Sequence, residues 1–317
     1  MKITVLDSAT LGKDLDLSPL CREGEVDIYE NTQPHEIAKR IEDSDVVVIN
    51  KVKLGEAQLS GAKRLKLICL AATGYDGVDV TYCKSVGIAV CNVVGYSTHS
   101  VAQTTVAMVL SLCCHLAEHN ETVKSGRYFA SGVANSLTPV YHELAGKTWG
   151  IVGYGNIGRQ VGAVAQALGC RVVYHRKNSV AGDGSVTLSE LCRVSDVITV
   201  HTPLNESTKG LIGQQQIDQM KDGVVLVNTA RGAVTDEGAV AKAVKLGKIG
   251  AFGSDVFSIE PFGSEHPFDE IKSLPNVCLT PHMAWGAYEA RVRCLEEIIQ
   301  NIRAFDRGEI RCRVDLA

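Results

Sequence analysis

A short glycine-rich turn between an apolar stretch and a helical pattern constrains the fold of this chain more than any other feature. The turn reads Gly153-Tyr154-Gly155-Asn156-Ile157-Gly158. Residues 148–152 precede it, and Val161, Ala165 and Leu168 follow at helical spacing. Glycines at this spacing allow a tight turn, close approach of the backbone to a pyrophosphate and close packing of helix on strand. The sequence therefore predicts a strand–turn–helix unit that binds a dinucleotide at the helix N-terminus.

Length and composition favour a two-domain globular protein. The chain has 317 residues, of which 45% are hydrophobic, and it contains no run of about 18 apolar residues, which argues against a membrane span. The net charge of −4 comes without a basic stripe, which argues against nucleic-acid binding. The amino terminus reads as a strand and lacks the apolar core of a signal peptide, so we expect a cytoplasmic protein.

The cysteines argue against both a disulfide framework and a metal site. There are 11 of them, scattered along the chain and without a C-x-x-C pair. Several lie in apolar runs, as expected of small buried hydrophobic residues in a reducing compartment. We therefore predict no bound metal.

Short β-rich runs alternate with helical or polar segments along the chain. Strands are predicted at residues 3–6, 26–29, 45–49, 67–70, 88–91, 148–152, 170–174, 197–200, 224–227, 250–255 and 277–280. Helices are predicted at residues 35–41, 100–119, 236–246 and 287–305, and after a capping box at Thr187-x-x-Glu190. This alternation predicts an α/β protein with two parallel sheets, the second of the doubly wound kind that binds nucleotides.

The predicted domains are a substrate domain, residues 1–99 and 287–317, and a dinucleotide-binding domain, residues 100–286. The helix at 100–119 is largely apolar, so we expect it to be buried and to connect the two lobes. The helix at 287–305 is expected to pack back on the first lobe. The cleft between the lobes is then the expected ligand site.

Polar and titratable residues follow several strands of the second domain at the point where each strand ends. These segments read His201-Thr202-Pro203-Leu204, Asn228-Thr229-Ala230-Arg231-Gly232, Asp255-Val256-Phe257-Ser258-Ile259-Glu260-Pro261 and Thr280-Pro281-His282-Met283-Ala284-Trp285. Ligands of doubly wound sheets bind beyond the carboxyl ends of the strands. Taken singly, His282, Glu260 and Arg231 each have an ordinary structural interpretation. Together, at successive strand ends, they predict a catalytic site.

The ordered set of motifs resembles the D-isomer-specific 2-hydroxyacid dehydrogenase family, whose marks are G-x-G-x-x-G, H-x-P-L, N-T-A-R-G, D-V-F-x-x-E-P and T-P-H-x-A-W. The resemblance also covers residues 72–79 and 100–105. It implies a Rossmann cofactor domain inserted in a flavodoxin-like substrate domain. It also implies an NAD(P)-dependent oxidoreductase that acts on small 2-hydroxy acids, as a homodimer with residues 122–140 in the contact.

Reduction of a 2-oxo acid needs a hydride at C2, a proton for the carbonyl oxygen and a cation for the carboxylate. The resemblance implies that His282 is the acid/base and that Glu260 favours its imidazolium form and fixes the ring. It implies that the guanidinium of Arg231 holds the substrate carboxylate and carbonyl oxygen. Candidate substrate contacts in the first lobe are the backbone N–H groups of Ala72, Thr73 and Gly74, and the side chain of Lys51. For Lys51, an exposed loop lysine is the alternative.

The resemblance also assigns residues to the cofactor. Asp255 either faces the nicotinamide or caps a strand end. Thr104 approaches the pyrophosphate. Trp285 either lines the nicotinamide end of the site or has only a packing role. His201 is expected to line the cofactor without transferring a proton. The other candidates are Gly153, Tyr154, Gly155, Asn156, Ile157, Gly158, His175, Arg176, Lys177, Thr202, Pro203, Thr229, Ala230, Arg231 and His282.

The end of the second strand of the cofactor domain departs from the pattern of NAD-binding proteins. Those proteins place an Asp or Glu there, which accepts from the adenosine 2′-OH. Here His175, Arg176 and Lys177 take that place, with Ser179 as a further donor. Basic residues attract a 2′-phosphate, so NADP(H) is favoured. NAD(H) stays open, because the loss of one carboxylate does not exclude it.

Residues 50–54 and 95–98 most resemble the glycerate dehydrogenase and hydroxypyruvate reductase branch. This resemblance implies reduction of hydroxypyruvate or glyoxylate to D-glycerate or glycolate. A dehydrogenase for bulkier aliphatic 2-oxo acids stays open, as does formate or phosphonate oxidation on a similar core. A rival of another class is a dinucleotide-sensing, corepressor-like scaffold, which a turnover assay distinguishes.

Overall fold

The computed structural model describes residues 1–177 and 184–316 and divides the chain into two compact units. The first comprises Met1–Ser97 and Trp285–Ala317, and the second comprises Thr98–Ala284. The chain passes from one unit to the other after Ser97 and again after Ala284, in each case two residues before the predicted boundary.

Eleven strands and eleven α-helices make up the described chain. The strands are β1 (Lys2–Val5), β2 (Glu25–Ile28), β3 (Val46–Ile49), β4 (Leu67–Leu70), β5 (Ala89–Cys91), β6 (Thr148–Val152), β7 (Arg171–His175), β8 (Val197–Val200), β9 (Val224–Asn228), β10 (Ile249–Ser254) and β11 (Val277–Leu279). The helices are α1 (Ile37–Arg40), α2 (Glu56–Leu59), α3 (Val80–Ser85), α4 (Thr98–Cys113), α5 (Leu116–Lys124), α6 (Arg127–Ser131), α7 (Asn156–Ala167), α8 (Leu188–Val194), α9 (Gln214–Gln219), α10 (Glu237–Lys245) and α11 (Tyr288–Asp306).

The first unit is built on a five-stranded parallel sheet with the order β2-β1-β3-β4-β5. This is the flavodoxin-like order that the resemblance implies. Strands β3 and β4 are buried along their whole length, as apolar strands covered on both faces should be. The buried stripe of α11, which includes Cys294, Ile298 and Ile302, joins the core on one face of this sheet.

The second unit is built on a six-stranded parallel sheet with the order β11-β10-β9-β8-β6-β7. Beyond β7, an isolated parallel bridge joins Tyr174 and Ser185. The strand order reverses between β6 and β8, and ligands of doubly wound sheets bind at such a switch point. The glycine turn follows β6, so the predicted cofactor motif lies at this point. The predicted fold class is confirmed.

Each predicted strand is present, with bounds that differ by no more than one residue at either end. The N-cap predicted at Thr187 is also present, and Asp236, predicted as the first residue of its helix, is the N-cap of α10. The hydroxyl of Thr187 accepts the N–H of Glu190 at 3.1 Å, and the carboxylate of Asp236 accepts the N–H of Ala239 at 3.0 Å. Local side-chain chemistry therefore specifies where α8 and α10 begin.

The single helix predicted over residues 100–119 is wrong. Helix α4 ends at Cys113 and α5 begins at Leu116, with a bend of 63° between them. His115 interrupts the helix with a left-handed φ of 50°, and its Nδ1 lies 3.1 Å from Glu118 Oε1. The apolar periodicity runs on through Leu116, so the pattern carries no signal for the break. Within the described ranges, no single helix is long and apolar enough to cross a membrane. Helices α4 and α5 together, bent as they are, meet that criterion by length and composition only.

Candidate active site

The glycine turn connects β6 to α7. Gly153 has a φ of 94°, and a Cβ there would lie 2.7 Å from backbone atoms of His201. A Cβ on Gly158 would lie 2.2 Å from the carbonyl oxygen of Gly153, so glycine is what allows α7 to pack this closely. Gly155 is the N-cap of α7, and the space where its Cβ would stand is open. The turn thus leaves room for a phosphate at the N-terminus of α7.

The other residues of the turn are held by neighbours within the unit. The ring of Tyr154 stacks on Tyr174 of β7, with 3.8 Å between centroids and 6° between planes. Asn156 Oδ1 accepts from Arg159 Nη2 at 2.8 Å, and Ile157 is half-buried.

Strand β7 ends in a histidine and is followed by two further basic residues. The N–H of Gly153 donates to the carbonyl oxygen of His175 at 2.8 Å, so the end of β7 lies against the glycine turn. Nδ1 of His175 donates to a backbone carbonyl at 3.1 Å. Arg176 is half-buried, whereas Lys177 is exposed and donates from Nζ to Ser207 Oγ at 3.2 Å. Three basic residues therefore occupy the place of the usual acidic one, while the predicted donor at position 179 lies outside the described residues.

His201 follows β8 and is half-buried as a whole residue, although part of its ring is shielded from solvent. Its N–H donates to the carbonyl oxygen of Val152 at 2.7 Å, and its Nδ1 lies 3.5 Å from Thr229 Oγ1. Its Nε2 is shielded from solvent and has no hydrogen-bond partner in the described part of the chain. Burial lowers the pKa of His201 from 6.5 to about 3, so the ring is neutral over the physiological range.

The hydroxyl of Thr229 lies 2.9 Å from that of Thr105 on α4. Thr104, the predicted cofactor contact, is the half-buried neighbour of Thr105. The segment that follows His201 contains an internal hydrogen bond, in which the hydroxyl of Thr208 donates to the carbonyl oxygen of Pro203 at 2.6 Å. Thr202 lies between His201 and Pro203 and is half-buried.

The turn after β9 is organised by Asn228. Its Oδ1 accepts the N–H of Ala230 at 3.0 Å, and its Nδ2 donates to the carbonyl oxygen of Arg231 at 2.9 Å. Arg231 is half-buried and donates from Nη1 to the carbonyl oxygen of Ala230 at 2.9 Å. A Cβ on Gly232 would lie 2.1 Å from the carbonyl carbon of Phe257. The turn that carries Arg231 thus packs against the segment that follows β10.

Glu260 and His282 form a close pair after β10 and β11. His282 Nδ1 donates to Glu260 Oε2 at 2.6 Å, and the N–H of Phe257 donates to Glu260 Oε1 at 3.0 Å. Because a carboxylate only accepts, Nδ1 carries the proton of this bond. The side chain of His282 is 20% exposed and that of Glu260 is 30% exposed. His282 has a left-handed φ of 52°, a strained conformation that a non-glycine residue adopts only where its surroundings impose it.

Asp255 holds the loop that carries His282. Its carboxylate accepts the hydroxyl of Thr280 at 2.5 Å and the N–H groups of Met283 and Ala284 at 2.9 and 2.8 Å. The side chain is buried, and desolvation raises the pKa of Asp255 against the opposing influence of these donors. These contacts match the capping interpretation of Asp255.

In the first unit, Asp7 organises the loop after β3. Its carboxylate accepts the N–H groups of Asn50, Lys51 and Val52 at 2.9, 2.6 and 3.1 Å. Asp7 is 4% exposed, and burial raises its pKa. Lys51 therefore extends from a loop whose backbone is fixed, and it is exposed, as the alternative interpretation of this residue expects.

The loop after β4 contains the predicted carboxylate-binding backbone. The hydroxyl of Thr73 donates to the carbonyl oxygen of Val93 at 2.7 Å, and Asn92 Nδ2 donates to the carbonyl oxygen of Thr73 at 2.7 Å. The N–H of Val93 donates to the carbonyl oxygen of Ala72 at 3.0 Å, and Gly74 comes next in the loop. Because β3 and β4 are parallel neighbours, this loop and the loop after β3 share one edge of the first sheet.

Several residues that shape these loops were not predicted. Asn228 and Thr280 lie inside the motifs that identified their neighbours, so their position was a signal for a role in shaping the turns. Asp7, an acid directly after a buried strand, was a similar signal. Trp285 packs edge-on against Tyr96 in the first unit, with 6.2 Å between centroids. This contact is the packing that the sequence left open for Trp285, and its cofactor contact stays a prediction.

A family model described as "D-isomer specific 2-hydroxyacid dehydrogenase, NAD binding domain" matches residues 106–284, more than half of the chain. The chain belongs to this family. The predicted family is therefore confirmed, and the protein is a nicotinamide-dependent D-2-hydroxyacid dehydrogenase. Enzymes of this kind are oxidoreductases that transfer a hydride between the cofactor and C2 of a small 2-hydroxy or 2-oxo acid.

Similar proteins match this chain over nearly its full length. The chain is 36% identical to the hydroxypyruvate reductase of Blautia hydrogenotrophica, over 97% of this chain and 98% of that protein. The D-lactate dehydrogenase of Aquifex aeolicus, solved with NAD and lactic acid, is 29% identical with a TM-score of 0.86, over 98% of this chain and 96% of that one. An acyclic imino acid reductase solved with NADPH and D-arginine is 28% identical with a TM-score of 0.88, over 99% of this chain and 100% of that one.

The residues of this dehydrogenase fit a nicotinamide dinucleotide. The close approach at Gly158 and the open space at Gly155 form the cradle that a pyrophosphate needs. The shielded Nε2 of His201 is a buried polar atom of the kind that a bound group would satisfy. Within residues 1–177 and 184–316, no group of three His, Cys, Asp or Glu side chains is arranged to hold a metal ion.

The burial of His201 predicts a pH-dependent loss of stability. The unfolded chain takes up a proton near the ordinary pKa of 6.5, whereas the folded chain does so only near 3. Lowering the pH from about 7 to about 5 should therefore cost about 2 kcal/mol in the free energy of unfolding. Urea titrations of the cofactor-free enzyme at both pH values measure this loss, and His201→Gln should remove it. His35→Gln, which changes an exposed histidine, serves as the control. An equal pH dependence in parent and His201→Gln would contradict the prediction.

Proposed function

We propose that this dehydrogenase reduces hydroxypyruvate or glyoxylate, with His282 as the proton donor, Glu260 as its partner and Arg231 as the substrate's carboxylate ligand. The observation that carries the proposal is the 2.6 Å contact between His282 Nδ1 and Glu260 Oε2. Arg231, Glu260 and His282 follow β9, β10 and β11, which are adjacent strands of one parallel sheet. Three chemically complementary groups thus come from successive strand ends of one sheet.

The nicotinamide cofactor supplies the hydride when bound. The residues that would hold it are the glycine turn, the enclosed ring of His201, Thr229 and Ala230 after β9, and Asp255 beside the nicotinamide end. These side chains and backbone groups bind and orient, while proton transfer is left to His282.

The orientation of the imidazole determines which of its atoms meets the substrate. Nδ1 of His282 is committed to Glu260, so Nε2 is the atom that gives a proton to the carbonyl oxygen during reduction and takes it back during oxidation. The Glu260 carboxylate stabilises the imidazolium and fixes the plane of the ring. The guanidinium of Arg231 offers a planar pair of donors that binds the substrate carboxylate and polarises the ketone. Ala72, Thr73, Gly74 and Lys51 complete the substrate contacts.

The proposal of a small, polar substrate rests on two supports. The relative named hydroxypyruvate reductase matches nearly the whole chain at 36% identity. In addition, Lys51 extends from a loop held by Asp7 and offers a donor that a hydroxyl-bearing 2-oxo acid uses better than a purely aliphatic one.

Substitution of the proton donor tests this function. His282→Ala should lower kcat for hydroxypyruvate reduction by about 10²-fold or more, because a general acid in the transition state is lost. Steady-state rates on glyoxylate, hydroxypyruvate, pyruvate and 2-oxoisocaproate establish the parent's preference, and His35→Ala is the control at an exposed histidine. Near-parental turnover by His282→Ala would refute the assignment. A parent that binds cofactor but turns over neither hydroxypyruvate nor glyoxylate would refute the proposed substrates.

We further propose that NADP(H) is the preferred cofactor. His175 lies at the end of β7 against the glycine turn, and Arg176 and Lys177 follow it. A 2′-phosphate gains charge-assisted hydrogen bonds from such residues, whereas a ribose hydroxyl finds no acidic acceptor in this three-residue segment. One of the solved relatives is in complex with NAD and another with NADPH, so the relatives do not indicate a preference. The proposal therefore rests on the basic residues of this chain.

Removal of the cations of Arg176 and Lys177 tests the cofactor preference. The parent should have a higher kcat/KM with NADPH than with NADH, and Arg176→Ala with Lys177→Ala should lower that ratio by about 10-fold or more, because hydrogen bonds to a charged phosphate are lost. Lys242→Ala, at an exposed lysine of α10, should leave the ratio unchanged. A clear preference of the parent for NADH would overturn the proposal.

We also propose that the enzyme is a homodimer that uses residues 122–140. Helices α5 and α6 bury none of their own residues, and the segment exposes apolar side chains along its length. Phe129 is 91% exposed, Leu137 is 73% exposed and Val140 is 69% exposed. Such a concentration of exposed apolar surface marks an association site, and a second copy of the chain is the proposed occupant.

Analytical ultracentrifugation tests the dimer. The parent should sediment at twice its chain mass of 34.0 kDa, and the double variant Phe129→Asp with Leu137→Asp should sediment at 34.0 kDa because charges replace apolar contact surface. Leu246→Asp, a matched change at a leucine that is 73% exposed elsewhere in the unit, should stay dimeric. A parent that is monomeric at micromolar concentration would contradict this proposal.

A cytoplasmic location also remains our proposal. All 11 cysteines are free, as expected of a protein kept in a reducing compartment. Burial raises the pKa of Cys91 to about 12 and that of Cys113 to about 11, so these thiols stay protonated and unreactive.

A further inference from the structure

A buried polar cluster, formed by Glu237, Ser258 and His266, lies beneath the segment that carries Glu260. Glu237 and His266 are only 8% and 7% exposed. The N–H of Ser258 donates to Glu237 Oε1 at 2.8 Å, and the hydroxyl of Ser258 donates to Glu237 Oε2. One carboxylate of α10 thus holds both the backbone and the side chain of Ser258.

His266 completes the enclosure of this carboxylate. Its Nδ1 accepts the N–H of Phe268 at 3.2 Å, so Nε2 carries the ring proton. Nε2 lies 3.0 Å from Glu237 Oε2, which is within ion-pair distance but outside hydrogen-bond alignment. The rings of Phe257, Phe262 and Phe268 lie 6.0, 4.8 and 5.1 Å from the imidazole, measured between centroids. Burial of an unpaired carboxylate costs free energy, so the position of Glu237 depends on the donors that surround its carboxylate.

The same cluster connects the turn of Arg231 with the segment of Glu260. A Cβ on Gly232, the residue after Arg231, would lie 2.2 Å from the nitrogen of Ser258. The peptide bond between Phe257 and Ser258 is therefore pressed against the turn of Arg231. The N–H of Phe257, on the other side of that residue, donates to Glu260 Oε1 at 3.0 Å. The position of this peptide therefore affects where the Glu260 carboxylate lies.

We propose that Glu237, supported by His266, is a positioning residue that holds the Phe257–Ser258 peptide so that Glu260 reaches His282. The inference rests on the proposed roles of Glu260 and His282 and adds to them a residue that acts through Glu260. Glu237 lies at the start of α10, so the rigid helix, rather than the loop itself, sets the geometry of the catalytic pair.

Glu237→Gln is the direct test, because it keeps the shape of the side chain but leaves only one oxygen for the two donors of Ser258. We expect kcat for reduction to fall by about 10-fold, since a buried charged hydrogen bond is lost. The Kd for the reduced cofactor, measured by fluorescence, should stay within about 2-fold of the parent value, because Glu237 acts on the proton donor's partner. Ser258→Ala, which keeps the backbone bond, should show a smaller loss in kcat and provides the test if Glu237→Gln does not fold.

A double-mutant cycle separates positioning from general structural support. If Glu237 acts through Glu260, Glu237→Gln should change kcat by less than about 2-fold in a Glu260→Gln background. Equal losses in both backgrounds would overturn the inference while leaving the catalytic roles intact. Full turnover by Glu260→Gln itself would overturn both the role of Glu260 and this inference.

Glu270→Gln provides a matched control. Glu270 also connects α10 to the residues that follow Phe268, since its Oε2 accepts from Lys245 Nζ at 2.7 Å. The Glu270 side chain is 65% exposed, so this pair contributes little to structure. Glu270→Gln should therefore have the parent's kcat. An equal loss of kcat in Glu270→Gln and Glu237→Gln would overturn the inference, because it would show that the buried carboxylate has no special role.

Discussion

The parallel hydrogen-bonded pairing of β8, β9, β10 and β11 is the constraint on which the site depends. In a parallel sheet all carboxyl ends lie at one edge, so residues far apart in the sequence are delivered to neighbouring positions. The register of β9 with β10 pairs Asn228 with Ser254, and each of these residues is followed by a segment with a candidate catalytic group. The pairing of β9 with β10 alone therefore brings the segments of Arg231 and Glu260 to the same edge of the sheet.

Strand pairing alone does not fix the exact positions of the loops that follow the strands, and buried polar side chains do this instead. Asn228 shapes the turn of Arg231, Asp255 holds the loop of His282, and Glu237 holds the peptide before Glu260. In each case a buried polar side chain satisfies backbone N–H or C=O groups that the loop would otherwise bury without partners. Since unsatisfied buried groups are costly, each loop has one favourable conformation. The left-handed conformation of His282 persists because its surroundings are fixed in this way.

The sequence predicted the parts of this molecule that depend on short-range patterns. Strands such as β3 and β4 are continuous apolar runs, and helix starts such as Thr187 carry their own capping residues, so both can be read locally. The break at His115 could not, because the apolar spacing is compatible with a straight helix. The cluster of Glu237 and His266 could not either, since it joins side chains from two segments that only the folded sheet brings together. Catalytic candidates stood out because their motifs were recognisable, whereas the residues that support them have no distinctive local pattern.

Two histidines at strand ends of one sheet show how environment separates their chemistry. His201 has a shielded Nε2 and a pKa lowered to about 3 by burial, so its ring is neutral over the physiological range. His282 instead donates from Nδ1 to the carboxylate of Glu260, the contact on which its proposed role as proton donor rests. Residue type and strand-end position are the same for both. The difference lies in what each ring contacts, since His282 Nδ1 lies 2.6 Å from a carboxylate oxygen and His201 Nδ1 lies 3.5 Å from a hydroxyl.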